Sequence, residues 1–295
     1  MLKHLLVPLD GSHLAEAAIA AAVCLARKGN AAVTLLHIIE RDAPKTVHGE
    51  QHLRTAEEAV AYLDRVAKQH FGGIQTHCHV HTAEIKDVAR GIANHLLELD
   101  PDTVVMSAHG RGGLHHLLFG NIAQQVVALG SMPVLLVRPN SGFECLRVLI
   151  PHDGVPAHEL AMNAGTEFSK LCGAEIRLVM VVPTSGTLSG LQAAAGQLMP
   201  CTARAMLELA QQEAEDHLRG HAKELKDGGI SAGAEVLRGD PATCIVKAGD
   251  IFKADVIVLG THGKSGTKAF WEGSVAARVA TKTKASLLFV PVGKK

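Results

Sequence analysis

The sequence predicts an α/β protein made of two tandem, doubly wound parallel sheets of five strands each. Three observations lead there. The chain is written twice: Leu2–Ser12 (LKHLLVPLDGS) aligns with Leu146–Val155 (LRVLIPHDGV), each an apolar strand ending in Pro-x-Asp-Gly. Strand patterns alternate with helical ones throughout, the signature of βαβ units on a parallel sheet. The strand segments are near-continuous apolar runs, as expected where helices cover both sheet faces and right-handed crossovers join the strands.

Each element follows in order. After the first strand of each half comes a helical pattern, Ala15–Lys28 and His158–Leu171; in the latter Leu160, Ala164, Phe168 and Leu171 recur at core spacing. A second strand is predicted at Ala32–Ile39 and Glu175–Val182. The two halves then diverge. Residues 41–70 are charged, with Glu57, Glu58, Asp64, Arg65 and Lys68 on a solvated helix face, whereas residues 184–200 are rich in Ser, Gly, Thr and Ala and read as a mobile loop. A third strand, a helix and a fourth strand follow. The next helix turns Ile122, Val126 and Val127, or Val275 and Val279, toward the core. Fifth strands at Pro133–Val137 and Ser286–Val290 close the halves. The turn-rich junction Arg138-Pro139-Asn140-Ser141-Gly142 divides the chain into domains at 1–140 and 145–295.

Composition narrows the function. The chain has 295 residues, enough for about two domains, and 47% of them are apolar. Formal net charge is zero, and only one Trp and one Tyr are present, so neither a basic footprint nor a stacking surface for nucleic acid is expected. The six cysteines contain no Cys-x-x-Cys pair and read as reduced thiols of a cytoplasmic protein. The apolar run at the N-terminus is broken by Pro8 and Asp10, too early for a signal peptide, and no apolar stretch is long enough to span a membrane.

The most informative repeat is the fourth strand with its loop. Val256–Gly263 reads Val-Ile-Val-Leu-Gly-Thr-His-Gly, and Gly273-Ser274 follows nine residues later; Val104–Asn121 is a near copy. Glycine lets backbone approach a ligand, and the free N–H groups of a helix start attract anions, so the pattern predicts a phosphate cradle present twice.

Pro-x-Asp-Gly after the first strand, combined with Gly-x2-Gly-x9-Gly-Ser after the fourth, resembles the universal stress protein family, across nearly the whole chain and as two tandem copies. The resemblance implies sheets of strand order 3-2-1-4-5, an adenine-nucleotide alpha-hydrolase-like fold, and ATP or AMP bound outside the carboxyl ends of the strands at the switch point. In the second half it implies that Pro151 and Asp153 flank the nucleoside, with Asp153 holding ribose or adenine. Val181 packs on adenine, and Leu259 and Gly260 line the ribose. Gly263, Gly273, Ser274 and Val275 cradle the phosphates, with Lys264 as a countercharge and Mg2+ accompanying ATP. The first half retains Asp10, Ile38, Met106, Gly110 and Gly120, but Ser107 stands in the slot of Gly260 and Asn121 replaces the Ser. The third-strand exit is Gly239-Asp240-Pro241-Ala242 in the second half and His81-Thr82-Ala83-Glu84 in the first. The second half is therefore expected to be the stronger site. The resemblance further implies fifth strands paired within the chain as a pseudo-dimer, association into a homodimer, and a role as a nucleotide-linked regulator in stress response with a protein partner.

Other signals weigh less. Gly263-Lys264-Ser265 imitates the end of a P-loop, but Val258 occupies the position where its first Gly belongs. His77, His79 and His81 alternate on one face of a predicted edge strand, a spacing that fits Zn as well as a solvated face, with Cys78 and Val80 expected to point into the core. His109 and His262 share one slot before the loop glycine and are read as loop-orienting groups. A slow ATPase and a nucleotide-free metal-responsive module remain the alternatives.

Overall fold

The computed structural model describes residues 2–47, 49–108, 121–129, 131–139, 143–188, 190, 194, 197–261 and 274–292. The chain divides into two compact units, one of Met1–Glu144, Thr261–Glu272 and Ser286–Lys295, the other of Cys145–Gly260 and Gly273–Ala285.

In the first unit the strands are β1 (His4–Pro8), β2 (Ala32–Glu40), β5 (Thr76–Ile85), β6 (Thr103–Ser107) and β7 (Val134–Val137), joined by helices α1 (His13–Gly29), α2 (Ala56–His70), α3 (Val88–Leu99) and α4 (Asn121–Leu129). They lie in the order β5-β2-β1-β6-β7, all parallel, which is the predicted 3-2-1-4-5. A short hairpin, β3 (Thr46–Val47) with β4 (Glu50–Gln51), falls inside the charged stretch and was not foreseen from sequence. The last strand of the chain, β12 (Ser286–Pro291), also belongs to this unit. It pairs antiparallel with β7 in the register Leu287↔Leu136, Leu288↔Leu135 and Phe289↔Val134.

The second unit has β8 (Arg147–His152), β9 (Glu175–Val182), β10 (Ala232–Arg238) and β11 (Val256–Thr261), in the parallel order β10-β9-β8-β11. Its helices are α5 (Glu159–Cys172), α6 (Pro200–Asp227), α7 (Pro241–Phe252) and α8 (Val275–Ala280). A single 3-10 turn, Pro156–His158, leads into α5.

Local chemistry fixes the helix ends. Ser12 accepts the N–H of Ala15 at the start of α1, and Thr55 with Glu58 forms a complete capping box on α2. Asp240 caps α7, with Pro241 at the first helical position, where its missing N–H costs nothing. Gly173 ends α5 at φ +68°, the left-handed conformation that a β-carbon disfavours.

Burial follows the prediction that both sheet faces are covered. Leu5, Leu6 and Val7 of β1 and Val148, Leu149 and Ile150 of β8 are wholly buried. Each such aliphatic side chain contributes about 1.5–3 kcal/mol. Val126, Val127 and Val279 are buried as expected, but Ile122 and Val275 are 41% and 38% exposed and Leu160 is 54% exposed. All three stand in the first turn of their helices, before the apolar stripe meets the sheet. Cys78 also departs from expectation. It is exposed, because β5 is the edge strand and the helix over that face covers it incompletely.

Helix α5 sits close on its sheet because residue 165 is glycine. A β-carbon there would lie 2.9 Å from Ile150 Cδ1 and 3.0 Å from Val258 Cγ2. Gly165→Val should therefore destabilise the protein by about 1–3 kcal/mol through overpacking, outweighing a helix-propensity gain of less than about 1 kcal/mol. A lowered urea midpoint with an unchanged denaturant slope is the expected result.

Candidate functional site: the carboxyl edge of the second unit

All-parallel strands put their carboxyl ends on one edge, and the loops there can converge on a ligand. In the second unit β8 pairs β9 over six register positions, ending at His152↔Met180, but pairs β11 only at Val256↔Val148 and Ile257↔Leu149. The ladder between β8 and β11 thus stops early, and the sheet opens at its switch point. The first unit repeats this, with five pairs between β1 and β2 and two between β1 and β6.

Several of the predicted residues lie at these strand ends. Pro151 is half-buried in β8, and Asp153 is exposed just past the end of that strand. Val181, at the end of β9, is half-buried. Asp153 and Val181 each follow the His152↔Met180 pair by one residue, so they stand side by side. Leu259 is 5% exposed, its side chain in the core, which leaves its backbone to face the opening; Gly260 is half-buried beside it. Ser274 caps α8, its Oγ accepting the N–H of Ala277 at 3.1 Å, and Val275 begins that helix. The Ser274 hydroxyl proton remains available to an acceptor. Gly263, Lys264 and Gly273 lie outside the described residues, as do His109, His262, Gly110 and Gly120.

Two anchors shape the edge. The Asp153 carboxylate accepts the Val155 N–H at 3.1 Å and is held by His158 Nδ1, 2.8 Å from both oxygens. Gly154 turns the chain at φ +78°, where a β-carbon would stand 3.3 Å from Met180 Cε. Across the opening, Arg278 Nη2 of α8 donates to Asp240 Oδ1 at 2.6 Å. That contact ties the short helix carrying Ser274 to the start of α7. Asp240 also accepts the Thr243 hydroxyl at 2.7 Å and the Thr243 N–H at 3.0 Å. The Thr243 side chain and Arg278 pull its carboxyl down to about 2.

In the first unit the same positions are arranged differently. Asp10 is half-buried and its Oδ1 accepts both the N–H and the hydroxyl of Ser12. Ile38 and Met106 are 6% and 7% exposed. Ser107 is buried with its hydroxyl lacking a partner. Asn121 is exposed, its side-chain oxygen accepting from Gln125 Nε2 at 2.8 Å. The segment after β4 lies over the Pro-Leu-Asp-Gly turn: a β-carbon on Gly11 would be 2.9 Å from Leu53 Cγ. Glu50 accepts the His13 N–H at 2.7 Å.

Two histidine groups are also present. His79 and His81 of β5 both contact His95 of α3 edge-on, with ring centroids 4.8 and 5.0 Å apart, and His95 Nε2 lies 3.1 Å from His81 Nδ1. His77, at the start of the same strand, hydrogen-bonds Gln75 at 3.3 Å. The second group escaped the sequence reading. His152 of β8, Glu159 of α5 and His217 of α6 bring their ligand atoms within 4.8 Å of one another. Burial lowers the His152 pKa, and the nearby His217 and His221 lower it further against the pull of Asp153. Two signals pointed to this group: His217 and His221 are one helical turn apart, and the Pro-x-Asp-Gly slot reads His in the second half but Leu in the first.

Comparison with known proteins agrees with this architecture. The universal stress protein family model matches residues 1–138 and 145–291, so the chain belongs to the universal stress protein family. A universal stress protein of Mycolicibacterium smegmatis is 25% identical over 97% of this chain and 96% of its own length. One of Methanocaldococcus jannaschii is 33% identical over 50% of this chain and 84% of its own. Among solved structures, a universal stress protein of Archaeoglobus fulgidus superposes with a TM-score of 0.68 at 15% identity, covering 99% of this chain and 97% of that one. A likeness at that identity speaks for the fold. Among the described residues, no helix is long and apolar enough to cross a membrane.

The Asp240 anchor makes a pH prediction. Its folded-state pKa is depressed from 3.8, so its contribution is complete above that value and fades as pH falls toward about 2. The stability advantage of the wild-type protein over Asp240→Asn should therefore shrink between about pH 4 and pH 2. The carboxylate is one-third exposed, so solvent screening keeps the advantage modest. Urea midpoints of both proteins across that range give the difference, which should be constant above about pH 5.

Proposed function

We propose that this protein is a tandem universal stress protein that holds a single adenine nucleotide, ATP or AMP, at the carboxyl edge of its second unit. In this reading it serves as a nucleotide-linked regulator in stress response, working in the cytoplasm through a protein partner. The carrying observation is the contrast between the two carboxyl edges. At the second, the Asp153-Gly154 turn is exposed beside the half-buried Val181 and Gly260. At the first, Leu53 sits on Gly11 and Glu50 is fastened to the start of α1, so the chain covers its own turn.

The second edge has the chemistry a nucleoside needs. A carboxylate carries about four acceptor positions, and Val155 and His158 use part of that capacity, leaving Asp153 able to accept ribose hydroxyls while held in one orientation. Val181 supplies an apolar surface for adenine. The Ser274 hydroxyl donates toward phosphate, with Gly263, Gly273 and Lys264 assigned to the same task from sequence and Mg2+ entering with ATP. An intrachain pseudo-dimer of two family repeats, 1–140 and 145–295, is part of this reading. Further association into a homodimer belongs to the same proposal.

Calorimetric titration with ATP and AMP separates the two edges. Asp153→Ala should weaken binding roughly tenfold or more, the worth of hydrogen bonds to a charged group. Asp10→Ala should leave it nearly unchanged, with thermal melting confirming that both variants fold. Equal losses in the two variants, or no binding by the wild-type protein, would sink the assignment.

A further inference from the structure

The second unit contains a convergence of metal-ligating groups that the nucleotide reading does not use. His152 ends β8, Glu159 begins α5 and His217 lies midway along α6. Their ligand atoms all fall within 4.8 Å of one another. His152 is 7% exposed, and its Nε2 is buried without a hydrogen-bond partner; the same is true of His217 Nε2. Leaving such a nitrogen unsatisfied is costly, and the two rings converge with a half-buried carboxylate. The two rings stack with centroids 5.4 Å apart and planes 14° apart, and His221 packs edge-on against His217 at 4.6 Å.

We propose that His152, Glu159 and His217 form a binding site for a divalent transition metal of the zinc class, clasping α6 to the Pro-His-Asp-Gly turn. Two imidazoles and one carboxylate are a borderline ligand set that suits Zn2+ and excludes Mg2+ and Ca2+, which take oxygen donors. Three protein ligands leave a fourth tetrahedral position for water or an incoming ligand. Zinc bonds of about 2.0–2.1 Å place ligands about 3.4 Å apart, so the three groups must close by roughly 1 Å. Glu159, in the first turn of α5 and with a flexible side chain, can supply that movement.

Binding has one definite consequence for the turn. His152 Nδ1 accepts the Gly154 N–H at 3.0 Å, which keeps the proton of the neutral ring on Nε2. A cation on Nε2 displaces that proton, and the ring that remains neutral carries it on Nδ1, where it meets the Gly154 N–H. Loading therefore breaks the His152–Gly154 hydrogen bond and frees the Gly154 amide, one residue from Asp153. The site stands independently of nucleotide binding, because none of its three ligands is assigned to the nucleotide.

The test uses full-length protein without a histidine tag, stripped by chelator and then titrated with Zn2+ and, for its visible spectrum, Co2+. The expected result is one ion per chain with a tetrahedral Co2+ spectrum. His217→Ala and Glu159→Gln should each weaken binding at least tenfold, while His79→Ala with His81→Ala leaves it intact. His217 lies on a partly exposed helix face and Glu159→Gln keeps its volume, so at least one variant remains folded, checked by circular dichroism. Failure to bind either ion overturns the proposal, as does binding that survives both site variants or disappears only with the β5 histidines. Amide exchange at Gly154 should accelerate on loading; unchanged exchange with an ion bound would remove His152 Nε2 from the ligand set.

Discussion

Parallel strand pairing is the constraint on which the rest depends. Parallel neighbours cannot be joined by a tight turn, so each connection must cross back over the sheet, here through a helix. Every carboxyl end then falls on one edge, and the chain must reverse direction of winding at β1 in one unit and β8 in the other. At those points the ladders to β6 and β11 are two positions long, and the sheet parts. The opening is a product of topology before any side chain is considered.

Side chains then decide what each opening is worth. Both units follow β1 or β8 with Asp-Gly, and both use the aspartate locally, but the second adds His158 as a fixed partner while in the first Leu53, just after β4, lies against Gly11. Asp240 caps α7 in the second unit. At the first-unit strand exit, helix α3 is instead capped by Asp87, which accepts the Arg90 N–H at 3.0 Å. Duplication gave two frames, and a few substitutions differentiated them.

The histidines illustrate how a repeat can carry a second chemistry. The position before Asp153 is leucine in the first half, which packs into the core, and histidine in the second, which is equally buried. A buried imidazole is tolerable when something satisfies its second nitrogen. His217 comes from a 28-residue helix whose counterpart in the first half, α2, has only 15 residues. The two residues were brought together by divergence at separate places in the chain.

The sequence by itself determined the fold class, the element order and the resemblance to the family, because apolar runs, glycine turns and the Pro-x-Asp-Gly pair are local patterns that a parallel sheet reads directly; the strand order came only with that resemblance. The resemblance, not periodicity, assigned Asp153, Val181, Gly260 and Ser274 to one edge. Only the tertiary structure decided that Leu53 covers Gly11, that β12 pairs with β7, and that His152, Glu159 and His217 meet. Each of those contacts joins residues from elements whose faces and lengths are set by packing, and the side-chain direction that brings them together has no periodic trace in the chain. The exposure of Cys78 is the same lesson in reverse: alternation along β5 placed it on one face correctly, but whether that face is covered depends on the reach of a helix.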